Sequence, residues 1–421
     1  MSKAIAIVCM AAPLLLAITA GAPLVDSGTF QVHQQANQNF TRDPAAIHFS
    51  DLAKYNVTLN STYSAAASFA ARQSRSTPAI PLLWESEYVC PVAIGGQTVL
   101  LDFDTGSSDL YVTSTSHPYK TRRRLVLTRS QSWVISTLTG IEAVGHKIYD
   151  PKASRSSRLL PGATWEITYA DGSGSGGVVY KDHVAIGASV AIDQAVEAAV
   201  YVSPEFVSNP FSSGLLGLAF STLNTVSPIP QLTYFDNVLP TLKQPLFTAD
   251  LKHGRPGTYN FGYIDPAAYK GVIEWTPVTK PYGYYAYWQL DFTGFQVGAG
   301  PYREHIINGI ADTGTTLLYL PPAIALAYYS KVAGAFFDPS YAAWLFPCTS
   351  ILPEFVFGIN GYRGVIPGEY IIFEPLGDDL CYGGIQVNTG LPFSIFGDIL
   401  LKAQFVVFDH EGPRLGFANK L

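Results

Sequence analysis

The sequence predicts a mostly β protein built as two related lobes, and three observations carry that expectation. The run Ile310-Ala311-Asp312-Thr313-Gly314-Thr315-Thr316-Leu317-Leu318-Tyr319-Leu320 repeats, 208 residues on, the run Asp102-Phe103-Asp104-Thr105-Gly106-Ser107-Ser108-Asp109-Leu110-Tyr111-Val112. Each copy reads apolar-Asp-Thr-Gly, two hydroxyl residues, any residue, Leu-Tyr-apolar, and each follows an apolar run, Val99-Leu100-Leu101 or Ile306-Ile307. Downstream of each copy comes a second echo, Gly214-Leu215-Leu216-Gly217 and then Ser394-Ile395-Phe396-Gly397-Asp398, so the duplication extends beyond one motif. Aromatic residues make up 13% of the chain, with 37 Gly and 29 Pro, which suits many short strands joined by turns better than long helices. At 421 residues, 48% hydrophobic and 14% charged, there is enough apolar surface for two domains with real cores.

In chain order, residues 1–20 read as a secretory signal: Lys3, an apolar run to Ala20 interrupted by Pro13, and small residues at Ala20-Gly21-Ala22. The expected product is secreted and extracellular, since no later segment is long and apolar enough to span a bilayer. Residues 21–75 read as a propeptide. They are rich in Gln, Asn, Ser and Ala, and they carry three glycosylation sequons, at Asn39, Asn56 and Asn60. An exposed cleavage region is expected around Ala71 to Ser76. Removing everything before Ser76 takes out five basic and three acidic residues and moves the formal charge from -6 to -8, which argues against a nucleic-acid partner.

Of the four cysteines, Cys9 leaves with the signal. Cys348 and Cys381 are expected to pair in an oxidising compartment, and Cys90, in an apolar run, is expected to behave as a small buried hydrophobe. The eight His are scattered, no metal-ligand spacing occurs, and no cofactor is expected.

The N-terminal lobe is placed at 76–262 and the C-terminal lobe at 263–421. Strand text begins at Tyr88 to Ile94, turns at Gly95-Gly96 and runs through Thr98 to Phe103 into the first Asp-Thr-Gly. A segment near 119–139 then breaks the pattern with a cluster of basic residues. It is either a surface loop particular to this chain or, as its foreign composition favours, a retained intron. Ala163 to Tyr169 and Val178 to Tyr180 read as a hairpin with a glycine-rich tip. Gly172, Gly174 and Gly177 match a dinucleotide fingerprint, but a strand follows where that fingerprint needs a helix. Between the halves, Gly257 to Asp265 is strand-like, which predicts lobes packed on a shared sheet.

An aspartate closing an apolar strand is held in partly dry surroundings. Two such turns meeting about a pseudo-twofold axis would bring Asp104 and Asp312 face to face, where like charges cannot both ionise and one proton is shared. That pair suits hydrolysis of an unactivated amide: one carboxylate takes a proton from water while the protonated partner polarises the carbonyl. Gly106 and Gly314 let the turns close tightly, Ser107 and Thr315 can donate hydroxyls to the carboxylates, and Thr105 and Thr313 can tie the loops together across the axis. There is no Gly-x-Ser-x-Gly elbow to support a serine route.

From about Glu87 to Lys420, apart from the basic segment, the chain resembles the pepsin-like aspartic endopeptidases, most closely the secreted fungal penicillopepsin and aspergillopepsin type. Besides the two Asp runs, the resemblance rests on Gly214 to Ser221, Pro256 to Gly262 and Ile395 to Asp398. It implies an all-β bilobal fold with a deep cleft, acid endopeptidase activity, protein and peptide substrates, inhibition by pepstatin-type compounds, and a monomer. It also implies a flap at Tyr169, Ala170 and Asp171, with Asp171 tied to acceptance of Lys beside the scissile bond in addition to large apolar residues. Cys348 and Cys381 match the fungal group's disulfide. Lys54-Tyr55 looks like the propeptide pair that blocks the dyad in zymogens. Two departures stand out: Tyr111 where the family has Trp, removing the usual indole partner of the flap tyrosine, and Ala170 where the flap commonly has Gly. A catalytically weak or inactive binding or inhibitor protein on the same scaffold is the alternative; Asp104, Asp312 and Tyr169 are all present, which weighs against it.

Overall fold

The computed structural model describes residues 28–36, 44–55, 57, 88–113, 147–168, 174–202, 212–377 and 379–421. The signal, the sequons at Asn39, Asn56 and Asn60, the cleavage region, the basic segment 119–139 and the flap residues Tyr169, Ala170 and Asp171 lie outside the described residues. No described helix is long and apolar enough to cross a membrane.

Strands dominate, and two of the sheets repeat one plan. In the first, the hairpin of Tyr88–Ile94 and Gln97–Asp104 runs into the Asp104 turn and the chain returns as Leu110–Thr113. Between the outgoing and returning strands lies Gly214–Gly217, parallel to one and antiparallel to the other, with Asp104 opposite Gly217 and Leu110 opposite Leu216. The second sheet does the same with the hairpin of Gln289–Val297 and Arg303–Ala311, the return strand Leu318–Leu320 and the inserted strand Ser394–Phe396, which sets Ala311 and Leu318 opposite Phe396. The sequence echo is therefore the strand around which each Asp turn is wrapped. Consecutive residues of these central strands are buried on both faces of the sheet, which is why the runs are apolar. Leu101, Phe103, Leu216, Ile310, Ile395 and Phe396 are all fully buried.

The text joining the halves is strand, as expected. Arg255–Phe261 lies in a six-stranded sheet with Leu246–Lys252, Gln404–Asp409, Arg414–Lys420, Tyr269–Pro277 and Phe30–His33. Beneath it Phe247 stacks on Phe408 at 4.6 Å, and Trp288 meets both rings edge-on while donating its indole N–H to Leu218 O at 2.8 Å. One continuous core runs through both halves of the molecule.

The segment before residue 76, expected to be a propeptide, is more ordered in its described parts than its polar composition suggests. Phe30–His33 alternates buried and exposed residues, pairs with Arg255–Phe261 and stacks Phe30 on Phe261 at 4.6 Å. Pro44–Lys54 is a helix whose Ala45, Ile47, Phe49 and Leu52 are buried. The glycine-rich hairpin also differs from its expected form. Its second strand, Gly174–Ile186, starts before Val178, and Thr168 already pairs with Gly174. Gly177 belongs to this strand because a Cβ there would run into the Ala198–Val200 backbone of the neighbouring strand. Cys348 and Cys381 form a disulfide with Cα atoms 5.0 Å apart, and Cys90 is free and fully buried.

Candidate active site

The two Asp turns meet at the junction of the lobes, and both carboxyl groups are fully buried. Reciprocal bonds lock them together: Thr105 N donates to Thr313 Oγ1 at 3.0 Å, and Thr313 N donates to Thr105 Oγ1 at 2.9 Å. Each hydroxyl then donates onward to the opposite strand, Thr105 to Ala311 O at 2.8 Å and Thr313 to Phe103 O at 2.6 Å. Thr serves here because one short side chain must both accept and donate in a closed space. Each carboxylate also takes the N–H two residues on, Gly106 N to Asp104 Oδ1 at 2.8 Å and Gly314 N to Asp312 Oδ1 at 3.0 Å. Glycine is needed for approach: a Cβ on Gly106 would lie 2.6 Å from Asp312 Cγ, and one on Gly314 would lie 2.9 Å from Asp104 Cβ.

The hydroxyl donors expected at Ser107 and Thr315 are not symmetric. Thr315 Oγ1 donates to Asp312 Oδ2. Ser107 Oγ and Asp104 Oδ2 have no partner among the described residues. Asp104 Oδ1 already takes the Gly106 N–H and an ammonium, which balances its charge without the serine.

That ammonium is Lys54, at the end of the helix Pro44–Lys54. Its Nζ lies 2.8 Å from Asp104 Oδ1 and 3.0 Å from Asp312 Oδ2. The Tyr55 hydroxyl donates to Asp312 Oδ2, and its ring lies against Phe393 at 5.6 Å and Tyr287 at 6.0 Å. Burial pushes Asp104 up against the pull of Lys54, Asp312 adds to the rise, and it stands at about 6. Burial acts the same way on Asp312, but Lys54 and hydrogen bonds from Asp104, Thr315 and Tyr55 outweigh it and bring it down to about 2. Lys54, which burial alone would depress, is raised by the two carboxylates. The helix that delivers it is fixed by polar contacts as well: the Tyr319 hydroxyl donates to His48 O at 3.2 Å and Asp51 Oδ2 at 3.0 Å, and His48 Nδ1 is 2.7 Å from the Tyr382 hydroxyl.

Tyr111, the departure from the family pattern, is buried and stacked on Trp165 at 5.4 Å. Trp165 belongs to Arg158–Thr168, so an indole does pack against Tyr111. Sequence reasoning missed Tyr287 and Phe393, which carry no local motif, and it missed the prosegment helix. It also passed over Asp109, the one variable place in the repeated run, whose buried partner Glu197 lies 88 residues away in sequence.

The arrangement brings together two buried carboxyls close enough to hydrogen-bond each other, the pairing that water-activated amide hydrolysis needs. A sequence model described as eukaryotic aspartyl protease matches residues 87–420. The chain is 43% identical over 419 residues to aspergillopepsin-1 of Aspergillus fumigatus, covering 99% of this chain and 98% of that protein. It is 43% identical over 410 residues to penicillopepsin-3 of Penicillium janthinellum, covering 96% of each. It is also 43% identical over 410 residues to endothiapepsin of Cryphonectria parasitica, covering 94% of this chain and 92% of that protein. With that extent of match and an Asp-Thr-Gly turn in each lobe, this chain belongs to the eukaryotic aspartyl proteases and is an aspartic-type endopeptidase with the all-β, bilobal fold of that family.

Proposed function

We propose that this chain is the zymogen of a secreted acid endopeptidase whose Asp104 and Asp312 activate water against a peptide bond. The donors on Asp312, Thr315 Oγ1 and Gly314 N, favour the charge there and leave the shared proton with Asp104. Asp312 then takes a proton from the bound water as its oxygen attacks the carbonyl carbon, and Asp104 gives its proton to the carbonyl oxygen. The resulting gem-diol collapses when the amide nitrogen is protonated by the dyad and the C–N bond breaks, with no covalent intermediate. Tyr169, Ala170 and Asp171 are the flap over the substrate, and Asp171 favours Lys beside the scissile bond. The place of the Tyr55 ring, between Tyr287 and Phe393, supports a preference for large apolar side chains. Pepstatin-type inhibitors are expected to bind the same site, Asn39, Asn56 and Asn60 are glycosylation sites of the propeptide, and the protease works as a monomer.

The single observation that carries this reading is the Lys54 ammonium within hydrogen-bond distance of both carboxyls. It holds both aspartates charged and occupies the place of the attacking water, so the docked prosegment is an inhibited form. Acid protonates the dyad, removes the charge that holds Lys54 and frees the cleft. The test is to acidify the secreted protein to about pH 3.5, sequence its new N-terminus, and digest haemoglobin with and without pepstatin. Cleavage that appears with shortening of the chain and is blocked by pepstatin is expected. A shortened protein without pepstatin-sensitive cleavage would leave the proposal without support.

A further inference from the structure

Five residues beyond Asp104 the loop carries Asp109, and at the matching place beyond Asp312 stands Leu317. The strand beside each return strand differs in the same way. Parallel pairing sets Tyr111 opposite Glu197 in Ser189–Val202, and it sets Tyr319 opposite Gln386 in Ile385–Val387. The first lobe thus buries two carboxyls where the second has a hydrocarbon and a neutral amide, and all four side chains are sealed from water. Gln386 is fully engaged: its Oε1 accepts Trp344 N, and its Nε2 donates to Gly383 O and Trp344 O.

Asp109 Oδ1 accepts three bonds, from Thr225 N at 2.8 Å, Thr225 Oγ1 at 2.9 Å and Asn224 Nδ2 at 3.0 Å. Asn224 Nδ2 also donates to Glu197 Oε1 at 3.0 Å, and its amide is held in that sense by Val226 N and Gln231 N on its Oδ1. Glu197 Oε2 is buried with no donor beside it among the described residues, which is what a protonated oxygen that itself donates requires. Among the described residues, the strongest influences on the two groups are burial, each other, Asn224, Thr225 and the Leu110 N–H, and no cation is among them. Two buried carboxylates without a cation cannot both be charged. Asp109, with three donors, is the anion, and Glu197 keeps its proton and donates it to Asp109.

The same stretch that meets Asp109 also holds the Asp104 turn. Leu218 N donates to Asp104 O at 2.7 Å, Ala219 N to Ser107 O at 2.8 Å and Gly217 N to Asp109 O at 2.8 Å. We propose that Asp109 and Glu197 are positioning residues for Asp104, which by sharing one proton tie its loop to the neighbouring strand and confine a competent site to pH at which that proton is held. The inference rests on the Asp104–Asp312 dyad reading. When the proton leaves, two buried like charges push the loop away from Glu197 and strain the bonds from Gly217, Leu218 and Ala219 that hold the Asp104 turn. Burial raises both carboxyls. A raised carboxyl stabilises the fold fully in acid, and that stability is lost as pH rises through the raised value.

The test uses the acid-activated enzyme and the variant Glu197→Gln, which puts the second lobe's neutral amide into the first lobe and supplies a donor that does not titrate. With each protein's activity normalised to its own acid maximum, the alkaline limb is expected to move up by about one pH unit or more, and the fall of the melting temperature above about pH 5 should flatten. Glu197→Ala, which removes the titrating group and the donor together, is expected to lower the melting temperature at every pH and to shift the limb in the same direction as Glu197→Gln. Asp109→Asn should shift the limb in the same direction as Glu197→Gln and serves if that variant does not fold. In the parent protein at about pH 5, the infrared spectrum should hold a band of a sealed protonated carboxyl that Glu197→Gln lacks, beyond the absorption of the dyad and Asp398 common to both. A limb and a melting profile unchanged in both neutral variants, or no such band, overturns the proposal. A parent enzyme without activity would count against the dyad reading alone, since melting and infrared data still judge the pair.

Discussion

Asp398, at the start of the helix Asp398–Ala403 in the second lobe, is buried with Lys402 on the same helix. Burial pushes the acid up and the ammonium down, each resisted by the other, so a proton passing between them leaves the pair neutral. The matching place in the first lobe, after Gly217, is Leu218, and that lobe instead buries Asp109 with Glu197, an acid beside an acid. Strand order, pairing sense and the cross-loop threonine bonds are the same in both lobes. What the comparison teaches is that duplication held the backbone plan fixed while charge was balanced by an ammonium in one lobe and by a proton in the other. Only the second arrangement depends on acid.

The lobes should be equal at the dyad itself, and this is where the largest effect is expected. Asp104→Asn and Asp312→Asn each remove one partner of a two-carboxyl proton exchange and should lower kcat/KM by roughly 10³ to 10⁴. If either variant kept activity within tenfold of the parent, one lobe would be carrying the chemistry alone.

Moving the first lobe's acid into the second sharpens the contrast. Gln386→Glu would place a carboxylate against Gly383 O and Trp344 O, which now receive two N–H donors from Gln386 Nε2. The cost should be about 3 kcal/mol near neutral pH and less in acid, where a protonated Glu can still donate once. Chemical unfolding at two pH values measures it. Equal destabilisation at both would mean that titration at this place has no part in the difference between the lobes.

Much of this was legible in the sequence, because a duplicated motif prints its geometry twice. The Asp-Thr-Gly turns, the apolar-Gly strands inside them and the Cys348–Cys381 bridge are all local text whose partner is an equivalent piece of text. What the sequence did not reveal depends on partners with no such copy. Ser107 and Thr315 read as equivalents, yet only Thr315 reaches its aspartate. The hairpin strand beginning at Gly174 was hidden by its glycines, which read as a turn although for Gly177 close packing against the Ala198–Val200 backbone is the cause. The prosegment strand and helix were hidden by composition, since their few apolar residues matter only when docked on surfaces made elsewhere in the chain.

The hydroxyl asymmetry gives a smaller effect. Thr315→Ala removes a donor to the Asp312 carboxylate and should reduce kcat/KM by about tenfold, the equivalent of roughly 1.4 kcal/mol. Ser107→Ala removes a hydroxyl without a described partner and should change it by less than about twofold. Equal losses would mean that Ser107 turns to Asp104 once Lys54 departs, and the asymmetry would then belong to the zymogen alone.

The prosegment also leans on the lobes unequally, with its helix held by Tyr319 and Tyr382 of the second. His48 of that helix is fully buried between them, with Phe49 and Tyr319 against its ring, Asp51 held by the same Tyr319 hydroxyl and its Nδ1 on the Tyr382 hydroxyl, and burial holds it down to about 3. A depressed histidine stabilises docking fully above its ordinary range, near pH 6.5, and that support is lost as pH falls toward 3, by roughly 1.4 kcal/mol for each pH unit. His48→Gln keeps a polar contact for Tyr382 but has no charge to gain. Its conversion to the shorter form should therefore be severalfold slower than the parent's at about pH 4.5, and the gap should close near pH 3, where protonation of the dyad releases Lys54 in both. Following the shortened chain on a gel after an acid jump measures the two rates. Equal rates at every pH would assign the whole acid response to Lys54 and the two aspartates, with the second lobe's tyrosines serving only as a resting place for the helix.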